Sequence, residues 1–319
     1  MINVYIVSGF LGSGKTTFIQ HLLENKKFNK VMLLENEFGE VGVDGAFFDK
    51  SLNVKEINNG CICCSLQGDF ADALEEIEEM GVSDLIIEPS GVGKLSDIID
   101  VVKDDPDYAI VSHICIVDVK TAKKYHLNFK EYFDDQVKYA NAIIFSHLDV
   151  ADNALVEEVK KIIGEINPNA LFNNKPINEY PIDELLDLIV SNNDIINEEL
   201  EEHEHHHHDH DEHEHHHHHH DGEHHHHHDD DDGDEIFKNI VISPTHVFSK
   251  DELEKILSNV DSDIIRVKGY VNSEKGSYFF NYVLNEFSII EKERKEPSIV
   301  CIIGTSINKD KFKDLFHGS

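Results

Sequence analysis

Basic residues are scarce in this sequence, and arginine is the scarcest of them. The chain has 28 Lys and Arg against 63 Asp and Glu, which gives a formal net charge of −35. Proteins that bind DNA or RNA need a basic surface to face the phosphates. This composition therefore excludes nucleic acid as a partner and makes metal cations a more natural one.

The sequence also lacks long apolar runs, and we do not expect its first residues to act as a secretory leader. No stretch approaches the roughly 18 apolar residues of a transmembrane helix. The first ten residues, MINVYIVSGF, contain neither a basic segment nor a small-residue cleavage site. We therefore expect a cytoplasmic protein without a membrane partner. Thiols stay reduced in that compartment, so clustered cysteines there bind metal or react more often than they form disulfides.

Short β-rich segments alternate with amphipathic helical segments through the first 190 residues. Apolar strands that alternate with helices indicate an α/β fold with a mostly parallel sheet covered on both faces. We predict that residues 1–190 form such a domain. Its predicted strands are 4–9, 31–36, 84–89, 113–119 and 142–147, and its clearest helices are 66–79 and 152–164.

The segment 191–235 separates this domain from a second one. From Glu201 to Glu235 it has no apolar side chain, so it cannot offset its ordering entropy and is predicted to be a disordered insertion. Residues 236–319 then predict a small C-terminal α+β domain. Its predicted strands are 236–249, 264–271, 277–283, 287–292 and 298–304, and its helices are 251–260 and 309–316.

The segment GFLGSGKT fits the phosphate-binding P-loop pattern GxxxxGK[ST] directly after a strand and before a helix. Its backbone N–H groups would cradle phosphates at the positive end of the helix dipole. Lys15 would reach the β- and γ-phosphates, and Thr16 would ligate Mg²⁺. A chance glycine-rich turn is the alternative, which the strand–loop–helix context disfavours. The predicted nucleotide contacts here are Gly9, Gly12, Ser13, Gly14, Lys15 and Thr16.

A second nucleotide segment lies at the end of the strand 84–89. Glu88 would hold Mg²⁺ through water, as the acidic residue of a Walker-B motif does. Gly91, in the sequence EPSG that follows, would present its N–H group to the γ-phosphate. This short pattern is weak alone but is strong beside a P-loop.

The loop after the strand 142–147 should recognise the base. GTP-binding proteins usually carry N/T-K-x-D there, whereas this chain has Ser146, His147, Leu148 and Asp149. Asp149 can still accept hydrogen bonds from guanine, and His147 can still stack on a purine. The sequence therefore favours GTP over ATP.

The scarcity of arginine bears on the type of reaction. The chain has two arginines, Arg266 and Arg294, so the first domain carries no arginine finger of its own. Kinases of small molecules typically clamp the transferred phosphate with several arginines. We therefore predict slow, switch-like GTP hydrolysis that uses Lys15, Thr16 and Glu88, rather than ATP-dependent phosphorylation.

Three of the five cysteines, Cys61, Cys63 and Cys64, crowd into the segment NNGCICCSLQGD. Zn²⁺ takes four tetrahedral ligands, so CxCC would supply three and a fourth would come from elsewhere. Buried structural cysteines are disfavoured because the segment is otherwise polar. Redox chemistry is also weaker, because a redox CxxC usually opens a thioredoxin-like helix.

Carboxylates cluster in the stretch 33–45, where a nucleotide switch region is expected. Glu35, Glu37 and Glu40 lie close together in sequence around Gly39. They are candidate partners for the cysteine site or for Mg²⁺. A solvated acidic loop is the alternative, and the residues alone leave it open.

Taken in order, GFLGSGKTT, ENEFGEVGVD, GCICC, EPSG and the S-x-x-D loop resemble the CobW family of P-loop GTPases, relatives of the nickel chaperone GTPases UreG and HypB. The resemblance spans the chain except for the insertion, and RVKGY (266–270) is similar to the family's C-terminal domain. Family members are implicated in delivering zinc, cobalt or iron to client proteins under the control of GTP turnover. The resemblance implies metal ligands at Cys61, Cys63 and Cys64, with Glu35 and Glu40 as further candidates. It also implies nucleotide contact by residues 9–17, which include Thr17, and by Ser146 to Asp149.

The insertion carries 18 histidines between His203 and His228, interleaved with acidic residues. Imidazoles bind Zn²⁺, Ni²⁺ and Co²⁺, so this segment is interpreted as an arm that collects ions loosely. A purification tag and an inert linker are the alternatives.

The sequence as a whole predicts a GTP-hydrolysing metallochaperone that binds Mg²⁺ and GTP and delivers a transition metal, zinc first, to a client metalloprotein. Co²⁺ or Ni²⁺ could replace zinc as the cargo. The alternatives are a cobalt-handling accessory of cobalamin synthesis, a nickel insertase helper, and a non-enzymatic metal buffer with a regulatory nucleotide site. A homodimer is compatible with the sequence.

Overall fold

The computed structural model describes residues 1–25, 28, 30–36, 53–57, 66–103, 105–191, 237–293 and 296–317. The predicted metal ligands Cys61, Cys63, Cys64 and Glu40 lie outside these residues, as does the insertion from residue 192 to 235. Among the described helices, none has the length and apolar composition that crossing a membrane requires.

The described residues of the first domain contain a seven-stranded parallel sheet, with strand order β3-β2-β4-β1-β5-β6-β7. The predicted α/β fold is therefore confirmed. Two strands, β3 and β7, were not predicted, because β3 has only two apolar residues, Val54 and Ile57, and β7 has only two residues in all. The strands are β1 Ile2–Ser8, β2 Val31–Asn36, β3 Asn53–Ile57, β4 Asp84–Glu88, β5 Tyr108–Asp118, β6 Ala142–Ser146 and β7 Leu171–Phe172.

Helices cover both faces of this sheet because its central strands are apolar on both faces. Val4 and Ile6 of β1 pack in one cluster with α2 and α3, whereas Tyr5 and Val7 pack in another with α1 and α7. The helices are α1 Lys15–Asn25, α2 Leu66–Glu79, α3 Leu95–Lys103, α4 Ala122–Asn128, α5 Lys130–Lys138, α6 Asn153–Ile166 and α7 Ile182–Val190.

A five-stranded antiparallel sheet forms the second domain, in the order β11-β10-β9-β12-β8. The predicted strand 236–249 is too long, because its ladder with β12 ends at Ile242 and Pro244 follows without a backbone N–H group. The predicted helix 251–260 runs from Lys250 to Leu257. The elements are β8 Lys238–Ile242, α8 Lys250–Leu257, β9 Ile264–Asn272, β10 Ser277–Val283, β11 Glu286–Lys292, β12 Ile299–Gly304 and α9 Lys309–Leu315.

The two domains pack directly against each other beside the P-loop. Phe10, which follows the first P-loop glycine, shares a buried cluster with Ile265 and Ile303 of the second sheet. The rings of Phe129 and Phe237 add to this cluster, with centroids 5.2 Å apart. The ends of β9 and β10 therefore lie against the phosphate-binding loop.

Candidate nucleotide site at the carboxyl edge of the parallel sheet

The P-loop joins β1 to α1 through a tight turn that glycine makes feasible. Gly9 has φ +138°, and a Cβ atom there would lie 2.3 Å from the Ile116 carbonyl oxygen. A side chain at this position would therefore clash with backbone. The Ser13 N–H group donates to the Phe10 carbonyl at 3.1 Å, and the Ser13 side chain is buried.

Lys15 opens α1 with a buried side chain. Its Nζ atom donates to the Gly9 carbonyl oxygen at 3.0 Å and lies 4.0 Å from Glu88 Oε1. The ammonium group is thus held across the mouth of the loop, where a phosphate oxygen would bind. The adjacent Thr16 hydroxyl donates to the Glu88 carboxylate, 3.2 Å from Oε1 and 3.4 Å from Oε2.

A second carboxylate stands beside Glu88. Glu35 on β2 is paired in register with Glu88 on β4, and both residues are buried. Because parallel strands end at the same sheet edge, Glu35 lies beside Glu88 there and lines the same cavity as Thr16. A hydroxyl and two carboxylates are hard oxygen donors, the set that Mg²⁺ prefers. The residues present therefore fit the magnesium ion that a P-loop NTPase uses.

The EPSG loop closes the other side of this edge. A Cβ atom at Gly91 would lie 2.7 Å from the Leu11 backbone nitrogen, so the loop touches the P-loop directly. The Ser90 hydroxyl accepts a hydrogen bond from the Val92 N–H group at 3.4 Å. The structure thus brings Gly91 to the P-loop, and its predicted contact with the γ-phosphate stays a prediction.

The predicted base-recognition loop lies next to the P-loop. The Ser146 Cβ is 3.8 Å from the position of a Cβ at Gly14. His147 has φ +59°, and its Nδ1 lies 3.1 Å from Oδ1 of Asp118, the last residue of β5. Asp149 is exposed, so its carboxylate is accessible to a base. His147 is therefore held at Asp118, and its predicted stacking on a purine stays a prediction.

The cavity over the P-loop, about 230 Å³ in volume, takes part of its wall from the second domain. Arg266 of β9 lines it, and its Nε donates to Oδ1 of Asn281 on β10 at 3.4 Å. Val283 lies against the P-loop, 3.1 Å from the position of a Cβ at Gly12. The lining residues are Leu11, Gly12, Gly14, Lys15, Thr16, Thr17, Glu35, Glu88, Pro89, Ser90, Gly91, Arg266, Asn281 and Ile303.

Three residues of this cavity come from the second domain and were not predicted from the sequence, namely Arg266, Asn281 and Ile303. The first domain has no arginine, yet the cavity above its P-loop contains one. The available signal was that Arg266 is one of two arginines in the chain. Arg266 reaches the cavity because the second domain packs on the P-loop. No local sequence pattern predicts that packing.

A strand–P-loop–helix unit with an acidic strand end next to Thr16 defines a P-loop nucleotide-binding protein. The chain matches the CobW/HypB/UreG nucleotide-binding domain family over residues 3–174. It also matches the cobalamin synthesis protein cobW C-terminal domain over residues 237–319. The chain therefore belongs to the CobW family.

Several curated proteins are similar to this chain in sequence. The zinc chaperone YjiA of Escherichia coli is 33% identical over 180 residues, which cover 53% of this chain and 56% of the relative. The zinc chaperone YeiR of the same organism is 37% identical over 155 residues, covering 47% of each chain. The chain thus spans about half the length of the curated relatives that it matches.

Solved structures are also similar to this chain. The crystal structure of Zn(II)-bound YjiA GTPase from E. coli is 20% identical, covers 99% of this chain and 98% of its own, and has a TM-score of 0.42. The structure of HypB from Helicobacter pylori in complex with nickel is also 20% identical, covers 63% of this chain and 88% of its own, and has a TM-score of 0.42.

Proposed function

We propose that this chain hydrolyses GTP with Mg²⁺ and uses the turnover to control a transition metal ion, zinc first, which it delivers to a client metalloprotein. The observation that carries the proposal is the position of Glu35. This residue opens the ENEFGE segment, a candidate metal-binding segment, and it also lines the nucleotide cavity beside Glu88. The Glu35 side chain is therefore a candidate both for the nucleotide site and for the metal site of the proposed cycle.

The proposed reaction transfers the γ-phosphoryl group of GTP to water and yields GDP and phosphate. The bond between the γ-phosphorus and the β–γ bridging oxygen breaks, and negative charge develops on that oxygen. Lys15, already fixed across the mouth of the P-loop, would neutralise this charge. Thr16 and Glu88 would hold Mg²⁺, which when bound supplies further positive charge to the β- and γ-phosphates.

Arg266 would supply a second protein cation from the other domain. It lines the same cavity, and Asn281 orients its guanidinium by accepting from Nε. An arginine supplied within the same chain lets a GTPase work without a partner's arginine finger. Hydrolysis would in this way depend on contact between the domains, which gives the second domain a means to report on client binding.

Metal gating would act through the segment between β2 and α2. Glu35 precedes this segment, which contains Glu40, Cys61, Cys63 and Cys64. A γ-phosphate near Glu35 would change the ligands available to the ion, and so its affinity. Relatives named zinc chaperones support zinc as the first candidate cargo. The His-rich arm would collect ions loosely and supply them to this site.

Phosphate release with GTP and with ATP tests the proposed activity. We expect hydrolysis of GTP in preference to ATP, and its loss in Lys15→Ala, which removes the buried ammonium. Lys94→Ala is the matched control, because Lys94 is partly exposed and pairs with Glu131 away from the cavity. Absence of GTP hydrolysis with Mg²⁺, Zn²⁺ and client present would refute the enzyme and favour the metal buffer.

A further inference from the structure

Three metal-ligating side chains meet on the second domain, away from the nucleotide cavity. His246 Nε2 lies 3.3 Å from Glu252 Oε1, and His317 Nε2 lies 3.9 Å from the same oxygen. The two imidazole rings have centroids 4.6 Å apart. All three ligand atoms lie within 4.8 Å of one another. We name these residues the His–Glu–His cluster.

The three residues come from distant parts of the sequence, and buried neighbours hold each of their backbones in place. His246 is two residues before Phe248, and His317 directly follows Phe316, both of which are fully buried. The rings of Phe248 and Phe316 contact each other, with centroids 6.1 Å apart. The core of the domain therefore holds the backbones of both histidines on one side of the cluster.

Glu252 is fixed from a third direction. It lies in the first turn of α8, where its backbone N–H donates to the hydroxyl of the N-cap Ser249 at 3.2 Å. The Ser-x-x-Glu spacing is that of a capping box, in which the glutamate usually returns to the N-cap backbone. Here the carboxylate lies against both imidazoles instead.

The distances suit a small divalent ion. Zn²⁺ binds nitrogen and oxygen ligands at about 2.0–2.1 Å, so tetrahedral ligand atoms lie roughly 3.3 Å apart. The pair His246–Glu252 already has this spacing, at 3.3 Å. The other ligand atoms need to approach by about an ångström, which rotation of partly exposed side chains can supply.

We propose that His246, Glu252 and His317 form an exchangeable binding site for Zn²⁺ or a similar divalent transition metal. Two imidazoles and a carboxylate are a ligand set of zinc sites that keep one position open. Because the side chains are partly exposed, water or a ligand from another protein can take that position. The proposal does not depend on GTP hydrolysis, so it can fail or stand independently of the proposed function.

Histidine modification by diethylpyrocarbonate, read residue by residue by mass spectrometry, tests the site in the full chain. The method separates His246 and His317 from the histidines of the arm. We expect Zn²⁺ to slow modification of both residues at least about fivefold and in parallel, because coordination occupies Nε2. Mg²⁺ should have no effect, since it prefers oxygen ligands. His21, on α1 of the other domain, is the internal reference.

Two variants on α8 show whether the two histidines bind one metal ion together with Glu252 or bind metal separately. Glu252→Gln should abolish the zinc protection of both histidines. Glu254→Gln should keep it, because Glu254 pairs with Lys250 instead. Unchanged modification in zinc would overturn the proposal, as would protection of one histidine alone or protection that survives Glu252→Gln. GTP hydrolysis by Glu252→Gln should equal that of the wild type.

Discussion

Glu35 and Glu88 lie side by side on neighbouring parallel strands, with both side chains buried and both lining the nucleotide cavity. Two carboxylates in such a position repel each other unless a cation lies between or beside them. Lys15 is 4.0 Å from Glu88 Oε1, and Mg²⁺ fits the same oxygens. This pair therefore links the P-loop to the segment that leads to the cysteines.

Replacing Glu88 by Gln should lower kcat for GTP about a hundredfold or more. The substitution keeps the side-chain shape but removes the charge that holds Mg²⁺ near the developing negative charge. Steady-state hydrolysis at several Mg²⁺ concentrations measures it, with Glu131→Gln on the surface of α5 as the control. A variant that retains wild-type kcat at every Mg²⁺ concentration would contradict this role.

Arg266→Ala should lower kcat for GTP about a hundredfold while leaving the affinity for GDP nearly unchanged. The reason is that the Arg266 guanidinium would stabilise negative charge that develops only during hydrolysis. Arg266→Lys should recover part of the rate. Single-turnover hydrolysis and GDP titration separate the two effects.

Lys120→Ala controls for loss of domain contact in the Arg266 experiment, since Lys120 also pairs across the domains, with Glu286. If Arg266→Ala and Lys120→Ala slow hydrolysis equally, Arg266 acts through packing rather than through charge.

Asp149→Asn should weaken the binding of GTP and strengthen the binding of xanthosine triphosphate. A carboxylate accepts from the N–H groups of guanine, whereas the amide can also donate to the oxygen that xanthine carries in place of the amino group. Competition titrations with the two nucleotides measure the ratio of their affinities. We expect this ratio to change more than tenfold in the variant. Asp152→Asn, at the N-cap of α6, should leave the ratio unchanged.

His113 should make the fold sensitive to acid. Its ring is fully buried on β5, and burial lowers its pKa to about 4. Nδ1 contacts the Tyr139 carbonyl at 3.1 Å, and Nε2 has no hydrogen-bond partner within the described part of the chain. The unfolded chain takes up this proton near pH 6.5 and the folded chain only near pH 4.

The stability that His113 contributes is therefore present above pH 6.5 and is lost as the pH falls towards 4. We expect a loss of about 3 kcal/mol in the free energy of unfolding across that window. Urea unfolding of the wild type and of His113→Gln at several pH values measures it. Parallel pH profiles for the two proteins would show that His113 does not titrate in this way.

Most of the nucleotide site follows from short contiguous segments. The P-loop and Glu88 could be predicted because a parallel sheet brings the carboxyl ends of its strands to one edge. The residues at or just after each strand end are therefore candidates for one common site. Glu35 was a candidate by the same logic. The sequence did not reveal that it lies beside Glu88, because that depends on β2 pairing with β4.

The features that the sequence did not predict depend on long-range packing. Arg266 reaches the cavity only because the second sheet packs on the P-loop. His246 and His317 come together only because Phe248 and Phe316 share a core. The strand β3 carries little apolar signal at the edge of its sheet. None of these contacts leaves a periodic pattern in the sequence.

The affinity of the cysteine site for zinc, measured in each nucleotide state, tests the central claim most directly. Titration with Co²⁺ in the full chain gives a thiolate-to-cobalt charge-transfer absorption that the His-rich arm cannot produce. Replacing Cys61, Cys63 and Cys64 together by Ser should abolish it. Competition by buffered Zn²⁺ then yields the zinc affinity with a non-hydrolysable GTP analogue and with GDP. We predict affinities that differ at least about tenfold between the two states, a coupling of about 1.4 kcal/mol. Equal affinities would contradict the account.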